Sequence, residues 1–186
     1  MSNMLAKRIA TVLTCLGLAG PALAQQLSIS ASPSPALVGQ SIGVDIMISG
    51  VQDLYAYSFD LSFGSSVLHA NSSSESSFLS SAGSTFGSAG SIDNAAGSVT
   101  NVAYTLLSAV PGVSGSGTLI HMSFTGLAVG STSLNFSNLI FLDSQLNDIA
   151  VTAQSGSLTV TAVPEPASLA LLMAGLGFVA WRRRSA

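Results

Sequence analysis

The densest set of candidate ligand atoms in the chain is Asp143-Ser144-Gln145-Leu146-Asn147-Asp148, which crowds oxygens into one short stretch. Oxygen-rich loops hold calcium, but the Asp-x-Asp-x-Asp-Gly order of an EF-hand is missing. Calcium therefore competes with a solvated turn, and the turn is the simpler reading. The two histidines, His69 and His121, have no second histidine or cysteine at zinc-site spacing, so both read as surface residues. Serine is abundant, yet no Gly-x-Ser-x-Gly elbow occurs. Glycoside cleavage needs two carboxylates across one bond, and no pair among the acids stands out. The residues point to no catalytic group and no cofactor. The sequons Asn71-Ser72-Ser73 and Asn135-Phe136-Ser137 are present, but sequence alone gives them no role.

The charges are partitioned. All five basic residues, Lys7, Arg8, Arg182, Arg183 and Arg184, lie at the two ends of the chain. Between the two targeting ends, residues 25–162 carry Asp45, Asp53, Asp60, Glu75, Asp93, Asp143 and Asp148, seven acids against no lysine or arginine. A nucleic acid is bound by cations that release its counterions, so this composition excludes nucleic acid as a partner. Acidic polysaccharide is disfavoured on the same ground unless divalent cations bridge it.

Each end reads as a targeting segment. Lys7 and Arg8 precede an apolar run from Ile9 to Leu18, and Ala22-Leu23-Ala24 supplies small residues for signal peptidase, with Ala22 and Ala24 at the cleavage positions. Cleavage there makes residues 1–24 a signal peptide and Gln25 the first mature residue. Cys15, the one cysteine, lies inside that run and is lost with it, leaving no disulfide and no thiolate. Thr14 before it fits a lipoprotein site poorly.

At the other end, Val163-Pro164-Glu165-Pro166 is followed by an uncharged apolar run, 167–181, and then by three arginines. The prolines hold an extended segment that a protease can read as a strand. The run can enter a bilayer as a helix, and Arg182, Arg183 and Arg184 act as a stop on the cytoplasmic side. Fifteen residues give about 22 Å of helix at 1.5 Å per residue, short for a hydrocarbon core of about 30 Å. That suits a transient anchor better than an ordinary single-pass one. VPEP, a short hydrophobic helix and a basic cluster together resemble the PEP-CTERM sorting signal of Gram-negative bacteria, over residues 163–186. The resemblance implies processing by exosortase, transient residence in the inner membrane and delivery to the cell surface or extracellular matrix.

What remains is one domain, residues 25–162, with apolar residues at period two. Leu27, Ile29 and Ala31 alternate with polar residues until Pro33 and Pro35; Ile42, Val44, Ile46 and Ile48 follow a turn at 38–41. Beyond Gly50, Tyr55, Tyr57, Phe59, Leu61 and Phe63 share a face, which places Tyr55 and Tyr57 in the core. Tyr104, between Val102 and Leu106, reads as core too. A turn over 111–117 precedes Ile120, Met122 and Phe124, then come Leu134 with Phe136 and Leu158 with Val160. Short strands between Gly, Ser, Pro and Asn clusters predict an all-β, antiparallel β-sandwich. Asn71 to Ser91, with ten serines and little periodicity, reads as a long loop with a short strand or helix around Phe78. With Trp181 in the tail and the tyrosines assigned to the core, no aromatic platform for a glycan is visible.

Four stretches resemble the cohesin domain, the jelly-roll-like sandwich of cellulosome scaffolds, related in fold to cellulose-binding modules. They are Val38-Gly39-Gln40-Ser41-Ile42-Gly43-Val44, Asp53 to Phe63 with Val67 and Leu68, Gly117 to Phe124, and Gly156-Ser157-Leu158-Thr159-Val160. Where cohesins commonly carry Tyr-Asp this chain has Phe63-Gly64. The resemblance implies the fold and no individual contact residue. Together these readings describe an exported, non-catalytic surface or matrix protein, acting in adhesion or exopolysaccharide-matrix assembly by binding protein or neutral polysaccharide. The alternative is an accessory protein or enzyme of polysaccharide processing.

Overall fold

The computed structural model of the chain describes residues 25–163 continuously and, in the tail, Met173, Leu176, Arg182 and Arg184, all helical. The expected signal peptide and most of the expected anchor helix lie outside the described residues. Among the described residues no helix is long and apolar enough to cross a membrane.

Eleven strands and one short helix follow in order: β1 (Gln26–Ser32), β2 (Ala36–Leu37), β3 (Ser41–Leu54), β4 (Ala56–Ser62), β5 (Leu68–Glu75), α1 (Ser77–Ser80), β6 (Thr85–Asp93), β7 (Ser98–Leu106), β8 (Val113–Gly126), β9 (Gly130–Leu142), β10 (Thr152–Ala153) and β11 (Gly156–Thr161). They form a five-stranded sheet, β10-β1-β3-β8-β5, and a six-stranded sheet, β2-β11-β9-β4-β7-β6. The main ladders are antiparallel; the two-residue strands β10 and β2 add short parallel edges to β1 and β11.

Alternation sets the inner faces. Ile42, Val44, Ile46 and Ile48 are fully buried, as are Phe59, Leu61, Leu119, Ile120 and Phe124. Aromatic rings cross between strands: Tyr57 lies opposite Tyr104 and Phe141 in register, and Phe63 meets Phe124 edge-on at 5.2 Å. No polar or charged residue among those described is fully buried, so the core rests on apolar packing. Removing one such leucine side chain costs about 2–5 kcal/mol.

Four expectations need correction. Asn71 to Ser91 is not a long loop: it contains the end of β5, α1 and the start of β6. These strands are held by backbone pairing with β8 and β7, not by buried side chains, so period two is absent from them. The expected helix at Phe78 is present, with Leu79 buried beneath it. Gly50 does not end a strand; it sits inside β3 with φ 66°, where the register against β8 shifts. The turn expected over 111–117 ends earlier, because β8 begins at Val113. Finally, Tyr57 is core, but Tyr55 and Tyr104 are only half-buried, packed against the edge of the core.

Candidate functional site

The inward alternation of β4 turns Ala56, Ser58 and Asp60 outward. Pairing then fixes what surrounds them. Ala56 lies opposite Leu142 on β9 and Thr105 on β7, and Thr105 lies opposite Phe86 on β6. One step along, Ser58 lies between Ile140 and Ala103, and Ala103 opposite Ser88. Two rows thus cross the sheet, small in the middle, with large residues at both flanks of the first (Leu142, Phe86) and at one flank of the second (Ile140). The small residues make a shallow depression of ≈ 470 Å³, walled by Phe86 and floored by Ala56, Gly87, Ala103 and Thr105. Phe86 is 70% exposed and Ile140 52% exposed. Gly87 is required by close approach: a Cβ there would overlap the Ala103 carbonyl and come within 2.7 Å of the Tyr104 Cα.

The face is stiffened at one end by Asp60. Its carboxylate accepts a hydrogen bond from the Asn101 backbone N–H (2.7 Å) and another from the Asn138 side-chain amide (2.6 Å). Asn101 and Asn138 are left-handed, at φ 58° and 52°, and mark the bulges in β7 and β9 on either side of β4. Asparagine tolerates that conformation better than most residues. One carboxylate therefore fastens both bulges, one oxygen to each.

The inner edge of the site is formed by Tyr57 and Tyr104, with the Glu75 carboxylate nearby. Burial raises the Tyr57 phenol far above its ordinary range, with smaller contributions from Glu75 and Tyr104. Burial raises Tyr104 in the same direction, again with Glu75 nearby. The Tyr57 hydroxyl donates to the Leu119 carbonyl at 3.2 Å. Neither phenol is a proton source near neutral pH.

The oxygen-rich 143–148 stretch lies at one end of the sandwich beside Asp53. Asp143 Oδ1 accepts from the backbone N–H groups of Gln145 and Asn147, each at 2.8 Å. Hydrogen bonds from the Asn147 side chain and backbone hold the Asp143 carboxyl below the usual range. Asp53 is lowered first by the Ser144 hydroxyl, at 2.6 Å, then by the Gly112 N–H, at 2.7 Å. Asp143 ties its own loop together, whereas Asp53, near the end of β3, fastens the loops that carry Gly112 and Ser144. Among the described residues no group of three or more His, Cys, Asp or Glu is placed to hold a metal ion. A second cleft, ≈ 560 Å³, lies beside this turn between Tyr55, Ser108, Pro111 and Leu146.

His121 is exposed, as expected, and its Nδ1 meets Asp45 Oδ1 at 2.6 Å on the outside of the five-stranded sheet. Such an exposed pair contributes about 0–1 kcal/mol. Among the described residues no hydroxyl stands within hydrogen-bond distance of its Nε2 to be activated by it. His69 is exposed at the start of β5.

Val163 is exposed and closes the continuously described chain; Arg182 and Arg184 are exposed and helical. Pro164, Glu165, Pro166, Arg183, Ala22 and Ala24 lie outside the described residues. Phe86 was missed by sequence reasoning, because it stands alone among serines and glycines in the segment read as loop. Its large side chain among the polar and small residues 80–91 was the one available signal. Gly64, in place of the cohesin aspartate, donates its N–H to Thr132 Oγ1 at 2.7 Å.

The chain matches the model of the cohesin domain over residues 26–160 and that of the PEP-CTERM protein-sorting motif over residues 162–184. Comparison with the curated proteins gave no match. Among solved structures it resembles a non-cellulosomal cohesin of the archaeon Archaeoglobus fulgidus, at 17% identity and TM-score 0.60, covering 74% of this chain and 91% of that one. It is also similar to CaCohA2 of Clostridium acetobutylicum (21% identity, TM-score 0.57, 74% and 92% covered). A third likeness is to the Coh-OlpA–Doc918 type I cohesin–dockerin complex of Clostridium thermocellum (13% identity, TM-score 0.60, 73% and 99% covered). A cohesin domain followed by a protein-sorting motif fits an exported, non-catalytic protein. With the domain match spanning well over half its length, the chain belongs to the cohesin family and carries a PEP-CTERM protein-sorting motif behind the domain.

Proposed function

We propose that this protein is an exported binding module whose partner, a protein, docks on the outer face of β9-β4-β7-β6. The observation that carries the reading is the uncovered apolar depression beside Phe86, with Ile140 exposed farther across the same face. A side chain this large and this exposed on a flat sheet gains by being covered, and aromatic residues are over-represented among the anchors of protein interfaces. The Clostridium thermocellum relative is a cohesin–dockerin complex, so a dockerin-type domain is the first partner class to test. A single exposed ring with few neighbouring donors suits a protein better than the repeated stacking that a glycan chain uses. Adhesion or assembly of an exopolysaccharide matrix would follow from holding such partners at the surface.

Delivery rests on the two ends. Residues 1–24 act as a signal peptide cut after Ala24; Gln25, the residue just before β1, then begins a domain over 25–162. In the tail, Val163-Pro164-Glu165-Pro166 is the segment read by exosortase, the 167–181 run is a temporary inner-membrane anchor, and Arg182, Arg183 and Arg184 are its stop.

Immobilised full chain is offered the secreted proteins, and separately the exopolysaccharide, of a bacterium with an exosortase system. Retention of a protein that Ala103→Arg abolishes supports the reading, because that arginine would fill the depression. Retention of polysaccharide alone would move the function to carbohydrate binding. Release of reducing sugar would establish the processing alternative.

A further inference from the structure

The end of the sandwich from which the tail departs carries a cluster of exposed apolar residues. Thr161, one of the last described residues, pairs with Leu37, and the Val38 N–H donates to its carbonyl at 3.0 Å. Gly130 pairs with Val160, which brings the β8–β9 turn, 127–129, to the same end, and the Leu127 N–H donates to the Val67 carbonyl at 2.8 Å. On this end Val129 is 63% exposed and Leu127 47%, with Leu37 and Val163 exposed beside them. Turns of soluble proteins are ordinarily polar, and two large apolar residues on one turn, with Leu37 on the adjacent edge strand and Val163 beyond β11, ask for a cover.

Covalent reach says what that cover is. From Val163 to Ala167 there are four Cα–Cα steps, at most about 14 Å. Residues 167–181 supply about 22 Å as a helix. With Arg182 at the cytoplasmic boundary, Val163 lies at most about 36 Å away, against a hydrocarbon core of about 30 Å. It therefore stands within about 6 Å of the opposite boundary, inside a headgroup layer roughly 5–8 Å deep. The turns paired beside Thr161 are brought to the same level.

The charges agree. Asp53, Asp143 and Asp148 stand at the other end of the sandwich, beyond the 13 residues of β9, about 40 Å at 3.3 Å per residue. That is several Debye lengths from a surface at physiological salt, about 8 Å each. Among the described residues of the tail end the one acid is Asp93, turned into its own loop by the Ala95 and Ala96 N–H groups, and the nearby titratable group is His69; Glu165 of the VPEP segment lies outside the described residues. The acidic loop cluster of the domain thus stands away from anionic lipid, and the end facing it is mainly apolar.

We propose that this end is a membrane-contact surface: Leu37, Leu127, Val129 and Val163 enter the headgroup layer of the outer leaflet of the inner membrane while the tail is inserted. The contact stands the domain upright and holds the VPEP segment at the level of the headgroups. It rests on the tail acting as an anchor.

The test uses the full chain with Cys15→Ser, produced in an exporting bacterial host and reconstituted in phosphatidylcholine vesicles containing a nitroxide-headgroup lipid. A single fluorescent thiol label is placed by Val129→Cys, by Gln145→Cys at the opposite end, or by Leu172→Cys in the tail, the last read with an acyl-chain nitroxide. Loss of more than half the emission at 129 and 172, with none at 145, is the expected result. Quenching at 172 without quenching at 129 overturns the contact and leaves the anchor standing. An unquenched label at 172 overturns the anchor itself. Emission at 129 that depends on protein-to-lipid ratio without nitroxide would assign the cluster to a second copy and overturn the lipid contact.

Discussion

Phe86→Ser separates binding from folding on the proposed docking face. A phenylalanine side chain offers on the order of 200 Å², and Phe86 is 70% exposed, so 0.70 × 200 leaves about 140 Å² for a partner to cover. Serine retains the Cβ and removes on the order of 100 Å², worth about 2.5 kcal/mol at 25 cal/mol per Å². That is roughly a 60-fold rise in Kd. The same change takes little from the fold, because β6 is an edge strand held by its ladder to β7; a propensity cost under about 1 kcal/mol is expected. Phe59→Ala, on the inner face of neighbouring β4 and fully buried, is the control, costing about 3–5 kcal/mol of stability. Affinity by titration calorimetry for the captured partner, read beside thermal melts, checks both. Unchanged affinity with an unchanged melt would refute the assignment of this face. A melt for Phe86→Ser as depressed as that of Phe59→Ala would refute the claim that the ring is free.

The remaining predictions concern the scaffold and the tail. A Cβ at Gly117 falls within 3 Å of the Phe78 Cβ and Cγ, so Gly117→Ala should cost about 1–3 kcal/mol. Adding Phe78→Ala should recover part of that cost, whereas strict additivity in chemical denaturation would deny the contact. Asp53 has a folded-state pKa below its unfolded one, first through the Ser144 hydroxyl. Its stabilisation is therefore complete above the ordinary aspartate value, about 3.9, and is lost as pH falls through the lower folded value. The acid limb of a melting-temperature profile should flatten in Asp53→Asn, though only partly, because Asp143 is lowered too. An unaltered limb would remove Asp53 from the account. Replacing Arg182, Arg183 and Arg184 with serine should release the tail from its cytoplasmic stop, seen as loss of membrane retention on fractionation; unchanged retention would deny the stop.

The central strands were legible because both sheets bury their inner faces. Ile42 to Ile48 and Tyr57 to Leu61 alternate without a break, and each inward residue is buried. The edges were not legible. In β5 only Leu68 and Ala70 are buried, and Ser72 to Glu75 are kept extended by their pairing with Ser123, Met122, His121 and Ile120. A strand held by backbone hydrogen bonds leaves no side-chain period to read. The same holds for β6, and that is why Phe86, the residue that makes the docking face, was hidden in a serine-rich stretch. The opposite error arose at Tyr55 and Tyr104. Alternation gave their side correctly, but it carries no information about how completely neighbouring side chains cover a residue on that side.

The composition of the domain also constrains how a partner is held. Without lysine or arginine the docking face presents no cation, and its one central acid, Asp60, spends both carboxylate oxygens on Asn101 and Asn138. Steering between charged patches raises association rates above about 10⁵–10⁶ M⁻¹s⁻¹ and gives them a steep salt dependence. An apolar contact centred on Phe86 and Ile140 lacks that mechanism, and screening has little to act upon there. Affinity for the captured partner should then change by less than about threefold between low and high salt, since burial of apolar surface is not weakened by screening. A fall of tenfold or more would mean that a basic partner reads the acids instead. In that case the loop end with Asp53, Asp143 and Asp148, and not the sheet face, would be the surface to which the partner is drawn.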